Sequence, residues 1–151
     1  MRVEDAPARS PPRLVIDSNV WISAALSPHG APAQLIRRVL AGGTVVFSAD
    51  TFAELEQRLW KPKFDRYLNT ERRHLILHDL SAIAFWVEPP PAITGIAYSR
   101  DPDDDKFIHA ALAARARWLV SGDQDLLTVP AMAGLSIVSP AAALQQPGFC
   151  L

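Results

Sequence analysis

Apolar positions in this chain fall into short unbroken runs, separated by longer stretches with helical spacing. Leu14-Val15-Ile16, Val45-Val46-Phe47, Phe85-Trp86-Val87, Trp118-Leu119-Val120 and Leu135-Ser136-Ile137-Val138 lack the polar alternation of a half-exposed strand. Each therefore predicts a strand covered on both faces. After the first run, Ser18 can cap a helix through Val20-Trp21-Ile22 to Leu26, and Leu35, Ile36, Val39 and Leu40 give a second helical period closed by Gly42-Gly43. Ser48-Ala49-Asp50-Thr51 opens a third helix with Phe52, Leu55 and Leu59 on one face, broken at Trp60-Lys61-Pro62-Lys63-Phe64. Asn69-Thr70-Glu71 caps a longer one through Leu75, Leu80 and Ile83 to about Ala84, and a closing helix runs from Ala141 to Gln145. Pro89-Pro90-Pro91 predicts an extended connection. Strands alternating with helices predict an α/β fold, a three-layer α/β/α sandwich around a parallel sheet.

One stretch departs from this pattern. In Arg100-Asp101-Pro102-Asp103-Asp104-Asp105-Lys106-Phe107-Ile108, four aspartates crowd into five positions and run directly into an apolar helix, predicted over roughly Asp103 to Arg115. Asp101 serves as N-cap, Pro102 takes the first helical position, and the following carboxylates meet the positive end of the helix dipole. Asp105, Ile108 and Leu112 are spaced i, i+3, i+7, which places Asp105 on the core-facing stripe. Asp103 points the opposite way towards solvent, and Asp104 lies on the flank. A carboxylate turned inward requires a partner.

Composition narrows what that partner can be. The 151 residues, 49% hydrophobic and 21% charged, suit a single domain with a sizeable core. We divide the chain into a polar, proline-bearing leader (1–12) expected to be disordered, a folded domain (13–146) and a short tail (147–151). The net charge of -1 excludes a global positive field that would draw in nucleic acid, so a polyanion must be met by local patches or by metal ions. The one cysteine, Cys150, excludes a disulfide framework and a cysteine-based metal site and points to a reducing compartment. No apolar run approaches the ~20 residues of a membrane span, and the N-terminus lacks a signal-peptide core, so a cytoplasmic location is expected.

Four acids occupy equivalent places in the predicted layout. Asp17 follows the first strand, Glu54 lies in the first turn of the helix after the second, Asp105 opens the acidic helix, and Asp123 follows the fourth strand. In an open parallel sheet these positions share the carboxyl edge, where ligand sites form. Carboxylates gathered there repel one another unless a hard divalent cation with oxygen ligands, Mg²⁺ or Mn²⁺, joins them. The chemistry implied is metal-assisted phosphoryl transfer to water.

The ordered motifs Leu14-Val15-Ile16-Asp17-Ser18-Asn19-Val20, Ser48-Ala49-Asp50-Thr51-Phe52-Ala53-Glu54-Leu55 with its Lys61-Pro62-Lys63-Phe64 sequel, Asp101-Pro102-Asp103-Asp104-Asp105-Lys106-Phe107 and Ser121-Gly122-Asp123-Gln124-Asp125-Leu126 resemble the PIN domain. More narrowly, they are similar to the toxins of type II toxin–antitoxin systems, the VapC-like ribonucleases, over about Leu14 to Val138. The resemblance implies a strand order of 3-2-1-4-5 and a Mg²⁺- or Mn²⁺-dependent endoribonuclease acting on single-stranded RNA. It implies Asp17, Glu54, Asp105 and Asp123 as catalytic, metal-binding acids, with Asn19 and Ser121 in support; Asp104, from its flank position on the helix, is read as a further supporting residue. It also implies a small antitoxin partner and, by analogy, a homodimer or higher oligomer. A non-catalytic partner-binding or RNA-binding module is the alternative.

Each residue also has a structural reading. Thr51 and Glu54 fit a Thr-x-x-Glu capping box, and Asp123 or Asp125 fits an ordinary helix cap. His74 and His78 have a zinc-compatible i, i+4 spacing but no evident third ligand, and His109 is read as a packed core histidine. Arg37, Arg38, Lys61, Lys63, Arg66, Arg72 and Arg73 are read mainly as solvated helix faces that could meet an RNA backbone. Trp21, Trp86 and Trp118 are assigned to the core, leaving Trp60 as the tryptophan able to stack on a base or partner. A receiver-type phosphorylation domain is excluded because the third strand runs into Glu88 and prolines instead of a phosphoacceptor.

Overall fold

The computed structural model describes residues 10–150. The expected disorder of the leader concerns mainly residues outside that range, whereas residues 10–12 lead directly into the first strand. The elements are β1 (Arg13–Ile16), α1 (Ser18–Leu26), α2 (Ala31–Gly42), β2 (Thr44–Phe47), α3 (Ala49–Leu59), α4 (Thr70–Ile83), β3 (Phe85–Trp86), α5 (Pro91–Thr94), α6 (Asp105–Ala114), β4 (Trp118–Val120), α7 (Gln124–Leu127), β5 (Ser136–Val138) and α8 (Pro140–Leu144). Short 3₁₀ turns at Pro62–Phe64 and Pro102–Asp104 complete the fold. The strands form one sheet in the order β3-β2-β1-β4-β5, all pairs parallel, with Leu14 opposite both Val45 and Trp118. This is the predicted three-layer α/β arrangement and strand order.

The unbroken apolar runs are explained by the two cores. Leu14 and Ile16 point to one face, with Val45, Phe47, Trp118 and Val120, where α1, α2, α3, α4 and α8 cover them. Val15 points to the other, with Val46 and Leu119, under Phe107, Ile108, Ala110 and Ala111 of α6. Alternate residues of a strand face opposite sides, so a strand buried on both must be apolar throughout. The C-terminal tail closes the first core: Phe149 packs edge-on to Trp118 at 5.8 Å. The tail's backbone runs so close to α2 that a Cβ on Gly42 would overlap the Cys150 carbonyl oxygen.

Several local expectations are corrected. Asp17, rather than Ser18, is the N-cap of α1, its side chain accepting from the Asn19 N–H. The capping box of α3 is formed by Ser48 and Thr51, so Glu54 carries no capping duty. Pro91 starts a helical turn at its favoured N1 position instead of extending the chain. Trp86 lies on the edge strand and is 44% exposed, its ring tilted against Phe47 and Phe52. On α4 the buried face is Arg73, Leu77 and Leu80, leaving Leu75 and Ile83 more than half exposed.

The acidic helix also begins differently. Asp101 caps a 3₁₀ turn over Pro102–Asp104, and the α-helix starts only at Asp105. A 3₁₀ turn advances about 120° per residue rather than about 100°, so directions extrapolated from α-helical spacing shift through this segment.

Candidate functional site

Asp17 stands at the carboxyl end of β1, only 5% exposed. Its Oδ2 accepts from the Ser121 hydroxyl at 2.8 Å, and Ser121 Oγ in turn accepts from the Asp123 N–H at 2.9 Å. This buried serine, at the end of β4, thus joins the ends of two adjacent strands through one side chain. Burial raises the Asp17 pKa; the Ser121 and Asn19 hydrogen bonds and Arg58 act against it, while Glu54 adds to the rise. Glu54 thus lies near enough to Asp17 to add to that rise. The side chain of Asn19 is exposed, and only its backbone engages Asp17.

Glu54 is buried and held by two cations. Lys106 Nζ lies 2.8 Å from Oε1, and Arg58 Nε lies 3.3 Å from Oε2. Neither partner was foreseen. Arg58 follows Glu54 at i, i+4, a spacing legible in the sequence, whereas Lys106 is 52 residues away and is brought in only by the fold.

The acidic stretch divides its work in an unexpected way. Asp105 is buried, as predicted, but does not face the other acids: its Oδ1 accepts the N–H groups of Tyr98 at 3.1 Å and Ser99 at 2.7 Å. It anchors the preceding loop. Asp104, expected on the flank, is the carboxylate turned inward; it is 8% exposed and its Oδ2 has no hydrogen-bond partner among the described residues. Burial, then Asp123 and then Asp101 and Asp17 push its pKa up to about 7. The 3₁₀ turn is the physical reason for the exchange.

Asp123 is partly exposed and caps α7, its Oδ1 accepting the Asp125 N–H at 2.9 Å, so the capping reading is correct for this residue. Capping uses one oxygen and leaves the other facing Asp104. A further group was missed by the sequence: Asp101, Asp104 and Asp125 each offer an oxygen within 4.8 Å of the others. No histidine belongs to such a group among the described residues. His74 packs against Trp60 at 5.1 Å, and His109 Nε2 meets the Ile96 carbonyl at 2.8 Å beside Tyr98. Trp60 is further engaged by the buried Arg73, whose guanidinium lies 5.2 Å from the ring centroid. Arg73 is thus a packed residue pairing with Asp65 at 3.0 Å rather than a solvated one.

The sequence profile of the PIN domain matches residues 13–125, which spans every one of these acids. The chain belongs to the PIN-domain family. The uncharacterized protein MJ1680 of Methanocaldococcus jannaschii is 32% identical over 119 residues, covering 78% of this chain and 74% of that protein. Among solved structures, VapBC2 from Rickettsia felis, bound to a DNA fragment from its promoter, is similar with a TM-score of 0.58 at 13% identity, covering 84% of this chain and 98% of that one. FitAcB from Neisseria gonorrhoeae gives 0.52 at 18% identity, covering 85% and 98%. VapBC-1 from nontypeable Haemophilus influenzae gives 0.52 at 16%, with the same coverage. These similarities establish the PIN fold.

The PIN-domain acids of this chain fit a hard divalent cation. All donors are carboxylate oxygens, as Mg²⁺ and Mn²⁺ prefer. A deeply buried carboxylate oxygen without a hydrogen bond is costly unless a cation or a proton meets it.

Proposed function

We propose that the protein is a divalent-metal-dependent endoribonuclease of single-stranded RNA, working as the toxin of a toxin–antitoxin pair in the cytoplasm. The observation that carries this is the convergence of Asp17, Glu54, Asp104 and Asp123 on the carboxyl edge of the sheet, with Asp104 presenting an unpartnered buried oxygen. Asp104 takes the role first assigned to Asp105.

A bound Mg²⁺ or Mn²⁺ supplies charge neutralisation and makes water more acidic. The chain's own residues do the remaining work. Ser121 fixes the orientation of Asp17 by donating to Oδ2. Lys106 and Arg58 pair with Glu54, and their charge would also be placed to meet a phosphate at this edge. Asp104, with its unpartnered buried oxygen, would be among the residues that hold the cation.

The partner reading is supported by the VapBC complexes among the similar structures and by an apolar cleft of about 360 Å³. Trp21, Ala25, Ile36, Leu40, Ile76 and Leu80 line it, between α1, α2 and α4. It suits an apolar-faced segment of a small antitoxin. One observation favours the alternative of a non-catalytic PIN-like module: both oxygens of Glu54 are already paired with protein cations. One experiment separates the two. A mixed RNA pool is incubated with the pure protein in Mg²⁺, in Mn²⁺ and in EDTA, alongside Asp17→Asn. Cleavage that needs the metal and disappears in the folded variant supports the nuclease. RNA left intact under all conditions, with the protein still forming a stoichiometric complex with a small neighbouring gene product, supports the module.

A further inference from the structure

We propose that the groove beside α3 takes the base of an RNA nucleotide next to the cut phosphate, with Trp60 as its stacking platform and an amino-bearing base, adenine above all, as its preferred occupant. This rests on the single-stranded RNA reading above and deepens it by naming what the site recognises.

Helix spacing builds the groove. Asp50, Ala53, Gln57 and Trp60 follow one another at intervals of three, four and three residues, so they form one stripe along α3 and its C-cap. All four line a groove of about 650 Å³ that also reaches Glu54 and Lys106. Glu54 belongs to the acidic site, and Trp60 follows it by about 9 Å along the helix axis. A nucleotide held by its phosphate at the acids can therefore lay a neighbouring base against the ring. The exposed Ala53 leaves the floor of the groove free of a larger side chain.

Trp60 is held in place at an energetic cost. Arg73 is 4% exposed, and its guanidinium lies 5.2 Å from the Trp60 ring centroid. Its Nη1 pairs at 3.0 Å with Asp65, whose side chain is 66% exposed, but Nε and Nη2 have no hydrogen-bond partner among the described residues. A buried cation so incompletely satisfied weakens a fold relative to an apolar side chain of similar volume. What it supplies is a fixed indole: the guanidinium against the ring and the edge-on contact of His74 at 5.1 Å hold Trp60 where it borders the groove. A ring fixed before binding loses little freedom when a base stacks on it.

The polar walls favour a base over a phosphate. Asp50 and Gln57 are exposed on the groove, one a carboxylate and the other an amide. A carboxylate repels phosphate but accepts from an exocyclic amino group, and a glutamine amide pairs with the amino edge of adenine. Lys106, paired with Glu54, stands at the end next to the acids, where the phosphate belongs. Uracil has no amino group to offer.

The test uses the whole chain and fluorescein-labelled pentanucleotides of adenosine, cytidine and uridine, followed by fluorescence polarisation. Ca²⁺, a hard cation of looser geometry, replaces Mg²⁺ so that binding is read without rapid cleavage. The adenosine probe should bind best and the uridine probe worst. Trp60→Leu should weaken the adenosine probe roughly 5- to 150-fold and Trp60→Phe far less, while Gln57→Ala should narrow the gap between adenosine and uridine. Arg73→Met should lower affinity for adenosine more than for uridine, which a general loss of structure would not do; circular dichroism checks each fold. A native chain that binds the three probes equally or not at all, or a preference that survives Trp60→Leu, overturns the subsite. Cleavage of a mixed RNA pool in Mg²⁺ is measured in parallel. Cleavage without a Trp60-dependent preference sinks the subsite alone, and RNA left intact despite such a preference sinks the nuclease reading alone.

Discussion

Asp104→Asn is expected to stabilise the metal-free protein while abolishing its response to metal. The native carboxyl has a pKa of about 7, against 3.8 for an unperturbed aspartate. The folded state therefore binds this proton more tightly than the unfolded state, and stability is lost as pH rises between those two values. Below the lower value both states are protonated and the cost is zero; above the upper one it is complete. A difference of roughly 3 units at 1.36 kcal/mol each gives a penalty of about 4 kcal/mol at pH 8. The asparagine side chain imitates the protonated carboxyl, keeps a donor for Asp123 and escapes the penalty. With a urea m-value of ~2 kcal/mol/M, the unfolding midpoint should rise by up to ~2 M in EDTA at pH 8, by less at pH 6 and hardly at all at pH 4. Saturating Mg²⁺ or Mn²⁺ should raise the midpoint of the native protein and leave that of the variant nearly unchanged. The measurement is urea denaturation across pH 4 to 8 with and without metal. A variant no more stable than the native protein at pH 8 in EDTA, or one equally stabilised by metal, would refute the placement of Asp104.

Asp105→Ala should cost about 1 to 3 kcal/mol, because two part-buried N–H groups lose their acceptor. Its RNA cleavage should fall less than that of Asp104→Asn, and the reverse order would favour Asp105 over Asp104 in the proposed site. Ser121→Ala removes the donor to Asp17 and the acceptor of Asp123 together; metal affinity measured by titration should weaken about 10- to 100-fold with the fold retained. Gly42→Ala drives a Cβ into the Cys150 carbonyl oxygen. The tail must move away from Trp118, so thermal unfolding should show a loss of about 1 to 3 kcal/mol, and an unchanged midpoint would show that the tail contact is not stabilising.

The apolar runs at Leu14, Val45 and Trp118 were legible because burial on both faces leaves strands no polar position, whereas the edge strands at Phe85 and Ser136 stay exposed or half-buried. The alternation of strands and helices gave a parallel sheet, and the strand order came from the resemblance of the motifs to the PIN domain, which the sheet bears out. The places of Asp17 and Asp123 were legible too: Asp17 follows β1 directly and Asp123 lies three residues beyond β4, both at the carboxyl edge of the sheet. Glu54 was legible in place but not in company: Arg58 is a local neighbour, while Lys106 required α3 and α6 to pack together.

The acidic stretch marks the limit. Four aspartates in five positions announced a helix start, but which one turns inward depends on whether the first turn is 3₁₀ or α. A rotation of about 20° per residue is too small for sequence periodicity to resolve. The tertiary structure decided it by closing the 98–101 loop over Asp105, whose carboxylate satisfies two backbone donors there. That leaves Asp104 to face Asp17 and Asp123. The sequence determined that carboxylates would meet at this edge of the sheet; packing, loop closure and the pitch of one turn determined which of them do.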